Sequence, residues 1–225
     1  MTSSFAQANA MGKVSAYWIW GSDISLEARM AKSLYVYQGN FNVAQGRNTY
    51  HFEGPSPRRM SGYKGNLILT YRLERLVPPA MVVSRYVAHR QAWKRYGIPV
   101  EGIQIDFDSP TAKLREYASW LVQLNNILGE SVPVSITGLG DWLASAPPGH
   151  LKELSQQVSF VAFMMYHGSR PLRHLKKYTA RLENLSLPFK LGRLQTQIES
   201  MDFENVFQAP GYQGEIVFML SGDPR

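Results

Sequence analysis

The sequence contains no cysteine, which excludes disulfide staples and thiolate metal sites. It has no apolar run long enough to cross a bilayer, so stable membrane insertion is not expected. It is also short of acid. Lys and Arg number 24 against 17 Asp and Glu, for a net charge of +7, a balance that favours acidic partners such as phosphates, anionic polysaccharide or a membrane surface. The basic residues are scattered apart from one cluster, Arg170, Arg173, Lys176, Lys177 and Arg181. That cluster is interleaved at helical spacing with Leu172, Leu175, Tyr178 and Leu182, which reads as the solvated face of an outer helix and not as a nucleic-acid site. The five histidines have no metal-ligand spacing, so neither a metal nor a cofactor is predicted. Repeats, linkers and low-complexity tracts are absent as well.

What remains is a globular composition, 44% hydrophobic and 18% charged over 225 residues, of a size that suits one domain. Residues 11–225 are read as that domain. The first ten residues end in Ala8-Asn9-Ala10, a small-x-small pattern of the kind that signal peptidase cleaves. They are read as the remnant of a signal peptide, giving a periplasmic or secreted protein, or else as a polar tail on a cytoplasmic one.

Short β-rich runs recur at 14–20, 34–38, 66–72, 102–108, 132–137, 160–167, 189–193 and 215–220, and amphipathic helical patterns separate most of them. Met81–Tyr96 lines up Val82, Val83, Tyr86, Val87 and Trp93. Thr111–Leu128 lines up Leu114, Tyr117, Ala118, Leu121, Leu124 and Leu128, with Ser109 as its expected cap and Pro110 at its first turn. Shorter helices are expected over 24–33, 150–157, 171–182 and 201–208. Eight strands alternating with helices predict an α/β fold, a (β/α)8 TIM-type barrel. It should be irregular around the second helix, where 39–65 is rich in Gly, Asn, Pro and Arg, and should lack the last helix.

The fourth strand is unusual. Alternation places Ile103, Ile105 and Phe107 on one face and Gly102, Gln104, Asp106 and Asp108 on the other. An amide and two carboxylates inside a barrel are costly unless paired or hydrated. They lie at the C-terminal strand end, where barrel enzymes build their sites. Positions two apart on a strand are roughly 6–7 Å apart, so the two carboxyls can couple, one titrating high and the other low. A carboxyl that keeps its proton near neutrality can serve as a general acid.

Glu101-Gly102-Ile103-Gln104-Ile105-Asp106-Phe107-Asp108 resembles the fourth-strand motif Asp-Gly-x-Asp-x-Asp-x-Glu of the chitinase-type (family 18) glycoside hydrolases. The sixth-strand segment Met164-Met165-Tyr166-His167 is similar to that family's Met-x-Tyr-Asp. Trp18 and Trp20 on the first strand, Gln104–Asp108, and Ser135–Thr137 followed by Trp142 more closely resemble a bacterial family of unknown function (domain of unknown function 3142), which has no assigned activity. The chitinase-type resemblance implies a glycoside hydrolase acting on a bacterial or environmental polysaccharide. In it Asp108 would be the general acid, Asp106 the neighbouring carboxylate that orients the substrate's acetamido group, and Tyr166 a hydrogen-bond donor to that group. The substrate's own acetamide is the nucleophile in that family. The sequence departs from these patterns. Asp108 stands for Glu, Gln104 for the Asp two positions before Asp106, and His167 for the Asp after Tyr. The last strand also lacks the family's tryptophan.

Trp18, Trp20, Tyr71 and Trp142, with Tyr35 and Tyr37, are expected to ring the mouth as platforms for an oligo- or polysaccharide. Trp93 and Trp120 are expected in the core. Gln104, Met164, His167 and Arg72 complete the expected binding set, with Arg72 placed to hold an acidic sugar or to neutralise Asp106. The alternative reading is a non-catalytic carbohydrate-binding barrel. A Mg²⁺-dependent phosphatase or a glycosyltransferase, suggested by Asp-x-Asp alone, is a weaker match.

Overall fold

The computed structural model describes residues 15–21, 24–198 and 201–219. The suspected cleavage site at Ala8-Asn9-Ala10 lies outside them. Eight parallel strands close into a barrel: β1 (Ala16–Ile19), β2 (Ser33–Ala44), β3 (Asn66–Leu73), β4 (Val100–Phe107), β5 (Val134–Leu139), β6 (Val161–Met164), β7 (Phe189–Leu194) and β8 (Tyr212–Phe218). Neighbours in sequence are neighbours in space, and β1 pairs with both β2 and β8 to complete the ring. Closure removes the unpaired edges that an open sheet would present.

The helices are α1 (Leu26–Arg29), α2 (Pro79–Arg95), α3 (Leu114–Leu128), α4 (Gly140–Ser145), α5 (Pro148–Ser155) and α6 (Leu175–Leu182). The second helix is replaced. β2 runs on past the barrel and pairs with an antiparallel arm, Arg47–Phe52, which a 3-10 turn at Pro57–Met60 follows. Gly54 lets this connection touch β2, because a Cβ there would lie 1.8 Å from the Tyr37 carbonyl oxygen. After β8 no helix follows among the described residues.

Four local expectations are corrected. Ser109 does not cap α3; its hydroxyl donates to the Pro110 carbonyl, and a 3-10 turn over Thr111–Lys113 delays the helix to Leu114. Val87, expected in the inward stripe of α2, is 44% exposed, whereas Val82, Val83, Tyr86 and Trp93 are buried. The expected helix over 201–208 is two 3-10 turns, Met201–Phe203 and Val206–Gln208. The first helix is a single turn, begun by the Ser25 hydroxyl accepting from the Ala28 amide.

The apolar core has two parts. The larger lies between barrel and helices and includes Leu69, Tyr71, Ile103, Ile105, Leu121, Trp93 and Trp120. The smaller fills the barrel itself, with Ala16, Trp18, Tyr35, Ala162 and Ile216 buried and Trp20, Ile68, Phe160, Met164, Tyr166 and Phe218 packed against them. Strand alternation produces this division. Odd positions of β4 face the helices and even positions face the barrel axis.

Candidate active site

Polar side chains enter the barrel where β3, β4 and β5 lie in register, with Thr70 beside Gln104, Gln104 beside Ser135, and Arg72 beside Asp106. Gln104 is fully buried. Its Oε1 accepts from Trp18 Nε1 at 2.6 Å and from Thr70 Oγ1 at 3.4 Å, and its Nε2 donates to Ser135 Oγ at 3.4 Å. Every polar atom of the side chain is thus engaged by the protein, which offsets the cost of its burial. Gln104 and Trp18, both expected to touch ligand, form the floor beneath the mouth.

One step further along β4, Asp106 is 2% exposed. Thr137 Oγ1 donates to its Oδ1 at 2.7 Å, and Arg72 Nη1 donates to its Oδ2 at 3.3 Å. Burial pushes its carboxyl up to about 6. Thr137 and Arg72 oppose that rise, and the charge of Asp108 adds to it. Asp108, just past the strand end, is half-exposed, and its Oδ2 accepts from Arg72 Nη2 at 3.1 Å. A single guanidinium therefore bridges both carboxylates. The group raised by its surroundings is Asp106, the position that the resemblance gives to the partner carboxylate and not to the donor.

Aromatic rings flank this cluster. Trp20 stacks on Tyr37 with centroids 4.4 Å apart and planes 12° apart, and meets the edge of Phe218. Phe218 stacks in turn on Tyr166 at 5.6 Å. Tyr166 meets Trp18 edge-on, and its phenol is pushed up first by burial and then by the charges of Asp106 and Asp108, beside which it lies. Met164 is half-buried in the interior cluster at the end of β6.

Three expected site residues are elsewhere. Tyr71 is fully buried on the outer face of β3, its hydroxyl 2.9 Å from His89 Nδ1, because alternation that turns Arg72 inward turns Tyr71 out. Trp142 is fully buried on α4 and donates from Nε1 to the Ser109 carbonyl, so it locks the β4 exit instead of forming a platform. His167 is exposed on a small ribbon where Tyr166–His167 pairs with Arg170–Pro171. Tyr35 also lies deeper than expected, against Trp18 and Phe160 inside the barrel.

Two residues missed in the sequence belong to the mouth. Thr137 was legible, since alternation from Ser135 turns it toward the axis beside Asp106. Glu53 was not. It follows the antiparallel arm, and its Oε2 accepts from Tyr37 Oη at 3.0 Å, bringing a third carboxylate to the Trp20–Tyr37 stack. Tyr37 in turn senses both Arg72 and Asp106.

A pocket of about 410 Å³, open to solvent, lies at the opposite end of the barrel and is lined by Tyr35, Ile68, Glu101, Gly102 and Phe160 among others. Its walls are mainly apolar, and the carboxylate cluster is at the other end of the barrel. The mouth is the better candidate because barrel sites form at C-terminal strand ends and because Asp106 is strongly perturbed there. Among the described residues no three His, Asp or Glu side chains converge as a metal site, and no helix is long and apolar enough to cross a membrane.

Several solved structures share the fold. The xylanase–α-amylase inhibitor protein in complex with trehalose superposes with a TM-score of 0.61 at 11% identity, covering 91% of this chain and 92% of that one. The xylanase and α-amylase inhibitor protein from Scadoxus multiflorus gives 0.58 at 13% identity, over 90% and 91% of the chains. A family GH18 chitinase from Chromobacterium violaceum gives 0.51 at 10% identity, over 92% and 77%. At these identities the likeness establishes the chitinase-like barrel fold alone. No curated protein matches the chain in sequence. One family model does, over residues 66–184, which span more than half of the chain and run from β3 through α6 with Arg72, Asp106, Asp108, Thr137 and Tyr166 among them. The chain therefore belongs to the family described as domain of unknown function (DUF3142).

Proposed function

We propose that this protein is a glycoside hydrolase that binds an oligo- or polysaccharide at the barrel mouth and cleaves it with the help of Asp106 and Asp108. The observation that carries the reading is the buried Asp106 carboxyl, raised to about 6 and joined through Arg72 to the exposed Asp108. Two carboxyls in different environments can divide acid and base duties between them. Below about pH 6 Asp106 holds a proton beside Asp108. Asp108, the exposed member, is the one able to reach a glycosidic oxygen, and Asp106 behind it stabilises the charge that develops. The half-buried Trp20, backed by the buried Tyr37, offers an apolar face of the kind that sugar rings pack against. The neighbours that share this fold include a GH18 chitinase and an inhibitor protein solved with trehalose, which supports a saccharide over other ligand classes.

A second reading, a carbohydrate-binding barrel without catalysis, is favoured by one specific observation. Arg72 engages both carboxylates, and Asp108 is a methylene shorter than the glutamate it replaces in the motif, a displacement to which catalysis is sensitive. Screening the purified protein against a panel of glycans for released reducing ends separates the two. The hydrolase reading expects cleavage by the wild type and a loss of about 10²-fold or more in Asp108→Asn. It also expects kcat/KM to fall as pH rises through about 6, and Asp106→Asn to lose that dependence. A wild type that cleaves nothing yet binds a glycan as tightly as Asp108→Asn would establish the binding reading instead.

A further inference from the structure

The basic cluster that the sequence presents as a solvated helix face occupies a particular place in the fold. The chain leaves β6 at the mouth, passes through Tyr166, turns in the ribbon that carries Arg170, and returns along α6. Arg170, Arg173, Lys176, Lys177 and Arg181 are all exposed along this path. From Met165 to Leu182 there is no Asp or Glu. Among the described residues, none of the five has a carboxylate partner. The opposite side of α6 is seated firmly. Thr179 and Leu182 are buried, and Leu172 and Tyr178 lie against Gly140 of α4, where an added Cβ would sit 2.6 Å from Leu172. Lys176, Lys177 and Arg181 are thus displayed on a seated helix, and Arg170 and Arg173 lie in the ribbon and turn that lead into it from the mouth.

We infer that this face is an extended subsite for an anionic polysaccharide, so that the substrate class of the mouth is an acidic glycan carrying carboxylate or other anionic groups along its chain. The inference rests on the saccharide reading of the mouth. Five cations without a carboxylate partner, three of them on α6 and two in the segment leading into it, raise the local concentration of a polyanion and hold it by charge without demanding one geometry. The run contains no exposed large apolar side chain, whereas a helix that lies on a membrane buries an apolar face in it. It contains no Phe or Trp, and its Tyr166 and Tyr178 are half-buried, so it presents no large exposed ring on which nucleic-acid bases could stack. Continuity with Tyr166 and the aromatic stacks of the mouth singles out a polymer of sugars among the polyanions.

The test uses the full chain and polygalacturonate as probe, with dextran of matched size as the neutral control, in affinity electrophoresis or titration calorimetry. The wild type is expected to bind polygalacturonate at low ionic strength, more tightly than dextran, and to lose that preference as salt is raised. Arg173→Glu/Lys177→Glu/Arg181→Glu should weaken polygalacturonate binding by about tenfold or more while keeping the wild-type melting temperature. Equal binding by the triple variant, or no preference over dextran, overturns the inference. So does tighter, equally patch-dependent binding of anionic lipid vesicles or of duplex DNA. The hydrolase reading fails separately: a wild type that binds polygalacturonate through the patch but cleaves no glycan removes the hydrolase and leaves the anionic subsite standing.

Discussion

Gly192 on β7 makes room for Trp18 in the barrel interior. A Cβ at Gly192 would lie 2.8 Å from the Trp18 ring, and the same indole donates to Gln104 directly beneath Asp106. Gly192→Ala should therefore push the indole off Gln104. Overpacking of this kind costs about 1–3 kcal/mol, measurable by urea unfolding, and the altered indole environment should appear in the near-ultraviolet circular dichroism. Wild-type stability and an unchanged spectrum would mean that the floor is slack. Arg72 is the corresponding residue at the rim. Arg72→Met leaves Asp106 buried without its counter-charge. Because the guanidinium is itself 42% exposed, the expected cost at pH 7 is discounted to about 1–2 kcal/mol. At pH 5 the cost should shrink, since Asp106, with its carboxyl at about 6, is then protonated. A penalty that does not change with pH would contradict the assignment of Asp106 as the titrating partner.

Among the elements, the connection between β7 and β8 is tied down by Arg193. Arg193 is 3% exposed, pairs with Glu215 on β8, and donates to the Gln197 and Ile198 carbonyls at 2.9 and 3.2 Å. Its guanidinium lies over Phe203 and Phe207. Arg193→Ala strands the largely buried Glu215 carboxylate and frees both 3-10 turns, an expected loss of about 3 kcal/mol. Arg193→Met/Glu215→Met, which removes both charges, should recover much of it. Hydrogen exchange at Val206–Gln208 reports the local effect, and a double variant no better than Arg193→Ala would show that the charge pair is not the cause. None of this was legible in the sequence, where 201–208 reads as a helix. The eight strands were legible because parallel barrel strands are short apolar runs between helical patterns, and the interior placement of Asp106 followed from alternation alone, whereas Asp108 lies just past the strand end and is half-exposed. Tyr71 and Trp142 were misplaced for a different reason. Both stand near a strand end, but proximity to the mouth in sequence does not decide which side of the sheet a ring faces. For Tyr71 the inward turn of neighbouring Arg72 settles it. For Trp142 the cause is α4, which carries the ring under β4. Glu53 was invisible because its position depends on an antiparallel arm whose register no local pattern announces.

In the whole molecule two titrating groups, the buried Asp106 and the half-buried His89, act against each other. The Asp106 carboxyl rises from 3.8 to about 6 on folding, chiefly through burial. Between those values the folded state holds a proton that the unfolded chain has released, so this group's contribution to stability declines as pH rises from 4 to 6. His89, on α2 at the outer wall, is pushed down from 6.5 to about 4, first by burial and then by Arg85, while its Nδ1 meets the Tyr71 hydroxyl. Here the unfolded chain binds the proton first, so the contribution is lost as pH falls from 6.5 to 4. Each contribution amounts to about 2–3 kcal/mol, with the lower figure for the partly exposed histidine. They run in opposite directions over nearly the same window, so their sum in the wild type is close to flat. Removing either group uncovers the other. Relative to the wild type, Asp106→Asn should gain stability steadily from pH 4 to pH 7, whereas His89→Gln should be favoured most at pH 4 and lose that advantage by pH 7. Urea unfolding at four or five pH values checks both slopes. Parallel profiles for all three proteins would mean that neither group changes its proton affinity on folding. That result would also remove the physical basis for treating the Asp106 carboxyl as a proton store at the barrel mouth.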